Sequence, residues 1–363
     1  MTAPGPGVTR FASLGRRRAV AVVAAFVVVI AWLVAGAARG PVGSGIDVAA
    51  QGGGTRENDV AFYKAVVARV RAGENYYDAV GPELRRRHFP LRPAFAWRQP
   101  TYAWLLARLP SPWVGNAMLA VIGAAVVALT ARWVQTTAFA RRTLIVVALM
   151  SVTMATCLVG DFVYMQESWA GALVALSVVL HATGRWRGAV AAGLAALAFR
   201  EFAVLPCVLA LGLAARARRW PEVRAWTAGL ALWAALLAWH ISRVAAHVLP
   251  TDLSRGWLAL GGAPFVLEMC RWNGLFVIAP RIVLALALPF VLLGLAGWRD
   301  AAAARAALIV LGYLATFSVV GHTFNDYWGA MFAPLLTLGL VAAPAATREL
   351  ARALVGRAPP EAV

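Results

Sequence analysis

Long apolar runs dominate this chain, and short clusters of arginine separate them. Of its 363 residues, 61% are hydrophobic and only 14% are charged, whereas soluble domains are closer to half apolar and a quarter charged. So few polar residues cannot cover the apolar surface, and we predict an all-α, polytopic membrane protein with about ten transmembrane helices. The predicted spans lie near 19–38, 113–131, 144–160, 168–183, 188–199, 202–215, 225–245, 275–297, 304–321 and 328–345.

The net charge of +18 comes from 34 basic and 16 acidic residues. Such an excess would suit nucleic-acid binding if the cations formed one patch. They lie instead in clusters between apolar runs, which is the positive-inside pattern, so we expect no nucleic-acid partner. The pattern predicts the cytoplasmic (inner) membrane, with both termini cytoplasmic. The first apolar run is near 20 residues, so an uncleaved anchor is favoured over a signal peptide cleaved near Ala35-Gly36-Ala37.

The segment from Gly188 to Ala215 carries a charged pair, Arg200-Glu201, at its middle. It is either one long interrupted helix or a hairpin of two short helices with the pair at the turn. The hairpin keeps the following arginines on the cytoplasmic side and spares the pair the bilayer centre, where each charge costs at least ~2.5 kcal/mol. We therefore predict the hairpin.

No repeat or linker divides the chain, so we predict one integral-membrane domain over 1–363 with a cytoplasmic tail from 346 to 363. Residues 39–112 form a large first outer loop. Within it, a stripe of Val60, Tyr63, Val66, Val67 and Val70 has helical spacing, and Gly73 follows as a C-cap. A second piece, Tyr102 to Leu109, lies between two prolines. Both are predicted to be juxtamembrane amphipathic helices.

The loop also carries Asp59-x-x-x-Tyr63 followed by Gly73-Glu74-Asn75-Tyr76-Tyr77. With the cytoplasmic N-terminus and the acidic residue after the first span, this pattern resembles the GT-C superfamily of integral-membrane glycosyltransferases. The resemblance implies inverting sugar transfer on the outer face, from a polyprenyl-phosphate donor to a cell-envelope glycan or lipid acceptor. It also implies a catalytic carboxylate in the first outer loop. Asp59 matches that position, and Glu57 is the alternative because Asn58 separates the two acids.

The chemistry of the loops supports the same roles. A carboxylate of suitable pKa can act as general base, and a departing phosphate needs fixed cations. Arginine suits phosphate oxygens through its planar fork. The predicted substrate-binding residues are Tyr63, Arg98, Gln99, Glu167, Arg200, Glu201, His322 and Asp326.

No cofactor is required by this chemistry, although a divalent metal beside the carboxylates would be compatible with it. The three cysteines and five histidines have no metal-site spacing, and we predict no metal ligands. The expected partners are the lipid-linked donor, the acceptor and membrane lipids.

Each candidate residue also has a structural interpretation. Asp59 can cap a helix, Arg85-Arg86-Arg87 can contact lipid headgroups, and Arg200 with Glu201 can be a paired turn. Asp161 and Glu167 can be solvated loop charges, and His322 to Trp328 can anchor the interface.

Two other functional classes remain open. A transporter or lipid flippase would show interrupted helices meeting at the midplane, and Arg200-Glu201 is the feature that favours it. A non-catalytic membrane scaffold would not depend on Asp59, Arg98 or Arg200.

Overall fold

A computed structural model describes residues 7–39, 56–156 and 160–356, and this part of the chain is all-helical, with isolated bridges in place of β-strands. Short 3-10 helices connect the longer elements. Within the described residues the α-helices are α1 (Arg16–Ala38), α2 (Arg56–Arg71), α3 (Tyr76–Arg86), α4 (Thr101–Arg108), α5 (Pro112–Gln135), α6 (Thr143–Thr156), α7 (Gln166–Ala182), α8 (Trp186–Phe199), α9 (Val204–Arg216), α10 (Trp220–Ala245), α11 (Gly262–Cys270), α12 (Arg281–Gly297), α13 (Ala301–Val319) and α14 (Ala333–Val355).

The structure confirms the predicted helical fold of an apolar membrane protein. It does not confirm ten full membrane crossings. Each predicted span contains a helix, and in the described ranges four helices are long and apolar enough to cross a membrane: α1, α5, α10 and α13. A fifth is added if Phe324–Met331 and α14, which meet at a bend of 64°, count as one span. The helices α8 and α9 have 14 and 13 residues, or about 21 and 20 Å, which is shorter than a ~30 Å hydrocarbon core.

The segment around Arg200 is a hairpin, as predicted. Arg200 is extended (φ −146°, ψ 121°) and separates α8 from α9. The Cys207 thiol lies 3.4 Å from the Gly193 carbonyl oxygen. Those residues would be about 21 Å apart along a straight helix, so the chain reverses direction between them.

The bundle has two distinct ends. At the loop end, formed by 56–110, 160–165, 246–261 and 320–332, Lys64 pairs with Asp161 at 2.6 Å and Arg85 pairs with Asp252 at 2.7 Å. At the basic end, formed by 7–15, 136–142, 183–187, 217–219 and 298–300, Thr9 bridges to Trp298. Predicted outer loops therefore meet at one end and predicted cytoplasmic connections at the other.

The predicted tail is partly helical and packed. Helix α14 continues to Val355, and Glu349 is buried. Its carboxylate accepts hydrogen bonds from the backbone N–H groups of Val8 and Thr9 at 2.8 and 2.7 Å. The N-terminal segment is thus fixed against the last helix, while residues from 357 onward lie outside the described part of the chain.

In the described part of the first outer loop, residues 56–112, the structure has three α-helices where the sequence predicted two. The valine stripe of α2 is buried or half-buried, and Gly73 ends the helix in the left-handed region with φ 94°. The additional helix, α3, begins after Asn75, whose side chain accepts a hydrogen bond from the Tyr77 N–H. Helix α2 packs against both α3 and α4, so the described residues from 56 to 110 form an ordered cap on the bundle.

Candidate functional site

A polar cleft opens at the loop end, with an empty volume of about 540 Å³. Helix α2 contributes one wall, and the segments after α3, after α10 and after α13 contribute the others. The lining residues are Asp59, Phe62, Tyr63, Leu84, Phe89, Pro90, Ala96, Arg98, Arg255, Trp257, Phe324, Asn325 and Tyr327.

Asp59 and Tyr63 face this polar cleft together because they are one helical turn apart on α2. Burial raises the pKa of Asp59 to about 6, while the positive charge of Arg98 and a hydrogen bond from Tyr327 oppose that rise. A carboxyl with this pKa is mostly ionised at pH 7 and is a stronger base than an exposed aspartate. Asp59 lies within α2, with helical residues before it, so the alternative interpretation of Asp59 as the N-cap is wrong.

Arg98 is buried, with 7% of its surface exposed, and its backbone is fixed by neighbouring tyrosines. The Tyr76 hydroxyl donates to its carbonyl oxygen at 2.5 Å, and its own Nε donates to the Tyr63 hydroxyl at 3.2 Å. Nη1 donates to the Phe95 carbonyl at 3.1 Å. Nη2 has no hydrogen-bond partner among the described residues, so one side of the guanidinium remains available to a ligand.

A second cavity, the apolar groove, adjoins the polar cleft and shares Arg98 and Trp257 with it. Its empty volume is about 760 Å³. Aromatic and aliphatic side chains form most of its wall, and its charged groups are Arg98, Arg200 and Glu201. The remaining lining residues are Phe95, Phe202, Val204, Trp233, Leu237, Val320 and Trp328.

Arg200 lies in the hairpin turn and is fully buried. Its Nε is 2.7 Å from Glu167, which is also fully buried, and its Nη1 pairs with Glu201. The guanidinium lies 4.3 Å from the Phe202 ring centre and 5.5 Å from that of Trp328. Glu167 is therefore a buried partner of Arg200, and its interpretation as a solvated loop charge is wrong. Asp161, by contrast, is exposed.

Four of the predicted substrate-binding residues lie outside both linings: Glu167, which pairs with Arg200, and also Gln99, His322 and Asp326. The Gln99 side chain donates to the Leu197 carbonyl at 3.0 Å and accepts from Trp233 Nε1 at 3.1 Å, so it joins α4 to the bundle. His322 contacts the Gly256 carbonyl at 2.9 Å, and Asp326 accepts from Trp272 Nε1 at 3.2 Å. The side chain of Glu57 lies outside the described part of the structure.

The arginine triplet is bound to protein carboxylates. Arg85 pairs with Asp252, whereas Arg86 and Arg87 both pair with Glu83. These contacts provide a structural role for the cluster, and its predicted contact with headgroups stays a prediction.

The sequence analysis did not select Arg255 and Trp257. Both lie between α10 and α11 in a stretch without helical or strand periodicity. The feature of the sequence that could have indicated these residues is an arginine and a tryptophan two positions apart in an outer loop. Tyr327, the hydrogen-bond partner of Asp59, lies in the aromatic loop that the sequence analysis had identified without assigning this residue a role.

Among the described residues, no three histidine, cysteine, aspartate or glutamate side chains cluster as a metal site would require. The expectation of a metal-independent site stays a prediction. Comparisons of the chain with protein-family models, with curated proteins and with solved structures find no match.

Proposed function

We propose that this protein is a membrane glycosyltransferase that transfers a sugar from a polyprenyl-phosphate donor to a cell-envelope glycan or glycolipid. One observation carries the proposal: a polar cleft with a carboxylate and an apolar groove meet at the buried Arg98. A donor of this class has an apolar chain, a phosphate and a sugar in that order. The two cavities and the arginine between them provide complementary surfaces in the same order.

The phosphate of the donor binds at Arg98 in this account. Its Nη2 has no hydrogen-bond partner in the described part of the chain, and a charge-assisted hydrogen bond there stabilises the negative charge that develops on the leaving phosphate. The isoprenoid chain occupies the apolar groove along Phe202, Trp233 and Leu237. The sugar then projects into the polar cleft toward Asp59.

Asp59 is the general base. Its carboxylate accepts the proton of the acceptor hydroxyl, and that oxygen attacks the anomeric carbon. The bond from the anomeric carbon to the phosphate oxygen breaks, and its electron pair leaves with the polyprenyl phosphate. Attack opposite the leaving group inverts the anomeric centre. The loop end faces the outside of the cytoplasmic membrane, and both termini are cytoplasmic.

The test is transfer from a panel of labelled polyprenyl-phosphate sugars by the protein in nanodiscs. We expect turnover of one donor, and Arg98→Lys should raise the KM for that donor because the single ammonium group of lysine cannot replace the contacts to Tyr63 and Phe95 and also bind the phosphate. Arg108→Lys is the matched control, since Arg108 is exposed on α4 and lies outside both cavities. No turnover or donor binding across the panel, with folded protein, would contradict the proposal.

A second candidate, lipid or solute transport, has one observation in its favour. The buried Arg200–Glu167 pair lies within the apolar bundle, and ionisable residues buried between helices of a membrane protein often belong to transport pathways. Proteoliposomes distinguish the two. Movement of a labelled polyprenyl-phosphate sugar between leaflets without cleavage favours transport, whereas release of polyprenyl phosphate favours transfer.

A further inference from the structure

A third cavity, the basic cavity, lies at the basic end of the bundle, with an empty volume of about 720 Å³. It is enclosed by the end of α7, the connection from α9 to α10 and the first turns of α13. Its polar lining residues are His181, Arg216, Arg219, Glu222 and Arg305. None of them lines the polar cleft or the apolar groove.

Arg305 is the buried cation of the basic cavity, with 3% of its surface exposed. Its Nη2 donates to the Ser177 hydroxyl at 3.0 Å, and the guanidinium lies 5.9 Å from the Trp226 ring centre. Among the described residues, the buried Nε has no hydrogen-bond partner, and Nη1 donates no hydrogen bond. Burial of unsatisfied charged donors is costly, so this side chain is suited to bind an anion that the residues described by the structure do not supply.

The carboxylate in the basic cavity is already engaged. One oxygen of Glu222 is 2.7 Å from Arg219 Nε, and the other is 3.4 Å from His181 Nε2. Arg216 forms no ion pair with any described residue and is exposed at the rim. Three arginines therefore face one carboxylate, which leaves an excess of positive charge with histidine neutral.

We propose that the basic cavity binds a phosphate group, held between Arg305 in its interior and Arg216 at its rim. Arginine forks match phosphate oxygens, and a tetrahedral anion satisfies several donors at once. The headgroup of an anionic phospholipid and a free phosphate share this chemistry. The site is independent of the proposed transferase activity, because the basic cavity shares no residue with the other two cavities.

The test compares three conditions for the purified protein: phosphatidylcholine nanodiscs, the same nanodiscs with one fifth phosphatidylglycerol, and phosphatidylcholine nanodiscs with added inorganic phosphate at matched ionic strength. The readouts are the thermal unfolding midpoint and, by native mass spectrometry, the number of bound phosphatidylglycerol molecules. Stabilisation by phosphatidylglycerol alone identifies a lipid headgroup, and stabilisation by inorganic phosphate identifies the free anion. Absence of both responses overturns the proposal.

Arg216→Gln removes the rim cation without altering the buried network, and we expect about tenfold weaker binding of the responding probe. Arg224→Gln is the matched control, because Arg224 is an exposed arginine on α10 at the same end but outside the cavity lining. Equal weakening in both variants would indicate general surface charge and overturn the site. Arg305→Gln should abolish the response. If the Arg305→Gln protein does not fold, the comparison of Arg216→Gln with Arg224→Gln still decides the test.

Discussion

Asp59 is the residue on which the proposed chemistry depends, and its position follows from short-range sequence information. The spacing of Asp59 and Tyr63 was visible in the sequence, because residues four apart share a helix face. The tertiary contacts of Asp59 were not visible in the sequence. Arg98 is 39 residues away in the chain and Tyr327 is 268 residues away, and only tertiary packing brings them into one cleft. The sequence could therefore nominate the carboxylate but could not predict the environment that raises its pKa.

The raised pKa of Asp59 predicts the pH dependence of transfer. A general base must be ionised, so kcat/KM should fall about tenfold per pH unit below a pKa of about 6. Above that pH, the ionisation of Asp59 should no longer change kcat/KM. The pH profile in nanodiscs measures it. An acidic limb centred near pH 4 would mean that an exposed carboxylate, and not Asp59 in this cleft, controls the rate.

The raised pKa of Asp59 also predicts that its ionisation lowers the stability of the folded protein. Because the pKa of Asp59 is raised from 3.8 to about 6 on folding, its ionisation opposes folding, and stability is lost as the pH rises through that range. Asp59→Asn should therefore stabilise the protein at pH 8 by at most about 3 kcal/mol and by little at pH 4. Thermal unfolding at both pH values measures the difference. Asp161→Asn, an exposed control, should show no such pH dependence, and equal shifts in both variants would contradict the assigned burial.

At the scale of elements, apolar runs located the helices, whereas helix lengths and connections required the structure. The hairpin was predictable because a charged pair is costly at the bilayer centre. Helix α3 was not predictable, since it contains Pro82, ends within a run of three arginines and has no long apolar run. The N-cap of α3, Asn75, lies in the motif Gly73-Glu74-Asn75-Tyr76-Tyr77. The sequence analysis used this motif for a family resemblance and not to locate a helix.

Close helix packing in the bundle depends on glycine. A Cβ at Gly294 of α12 would lie 2.1 Å from the Gly339 carbonyl oxygen of α14. Gly294→Ala should therefore destabilise the protein by about 1–3 kcal/mol through overpacking. Gly212→Ala on α9 is the control, because no atom lies within 4 Å of the added carbon, and it should be neutral or slightly stabilising. Unfolding midpoints that shift alike in both variants would contradict this packing.

At the scale of the whole molecule, the division between a loop end and a basic end follows the charge pattern of the sequence. Predicted outer loops assemble the polar cleft, and predicted cytoplasmic connections assemble the basic cavity. The number of full crossings was less predictable, because short helices such as α8 and α9 have apolar composition without the length of a span. Hydropathy measures composition, and the end of a helix depends on local breaks such as that at Arg200.

The orientation predicts opposite accessibility of the two ends. With the native cysteines replaced, Asp161→Cys should react with a membrane-impermeant maleimide added outside spheroplasts. Arg185→Cys, exposed at the basic end, should react only in inverted vesicles. Labelling of both positions from the same side would contradict the orientation on which an outer-face activity depends.

The central claim is that Asp59 performs chemistry on a donor bound between the polar cleft and the apolar groove. The most direct measurement is single-turnover transfer and donor binding by wild type, Asp59→Asn and Asp161→Asn in the same nanodiscs. The account predicts that all three bind the donor, and that Asp59→Asn alone loses transfer by about 10²- to 10⁴-fold, the range for a general base. Undiminished transfer by Asp59→Asn would contradict it.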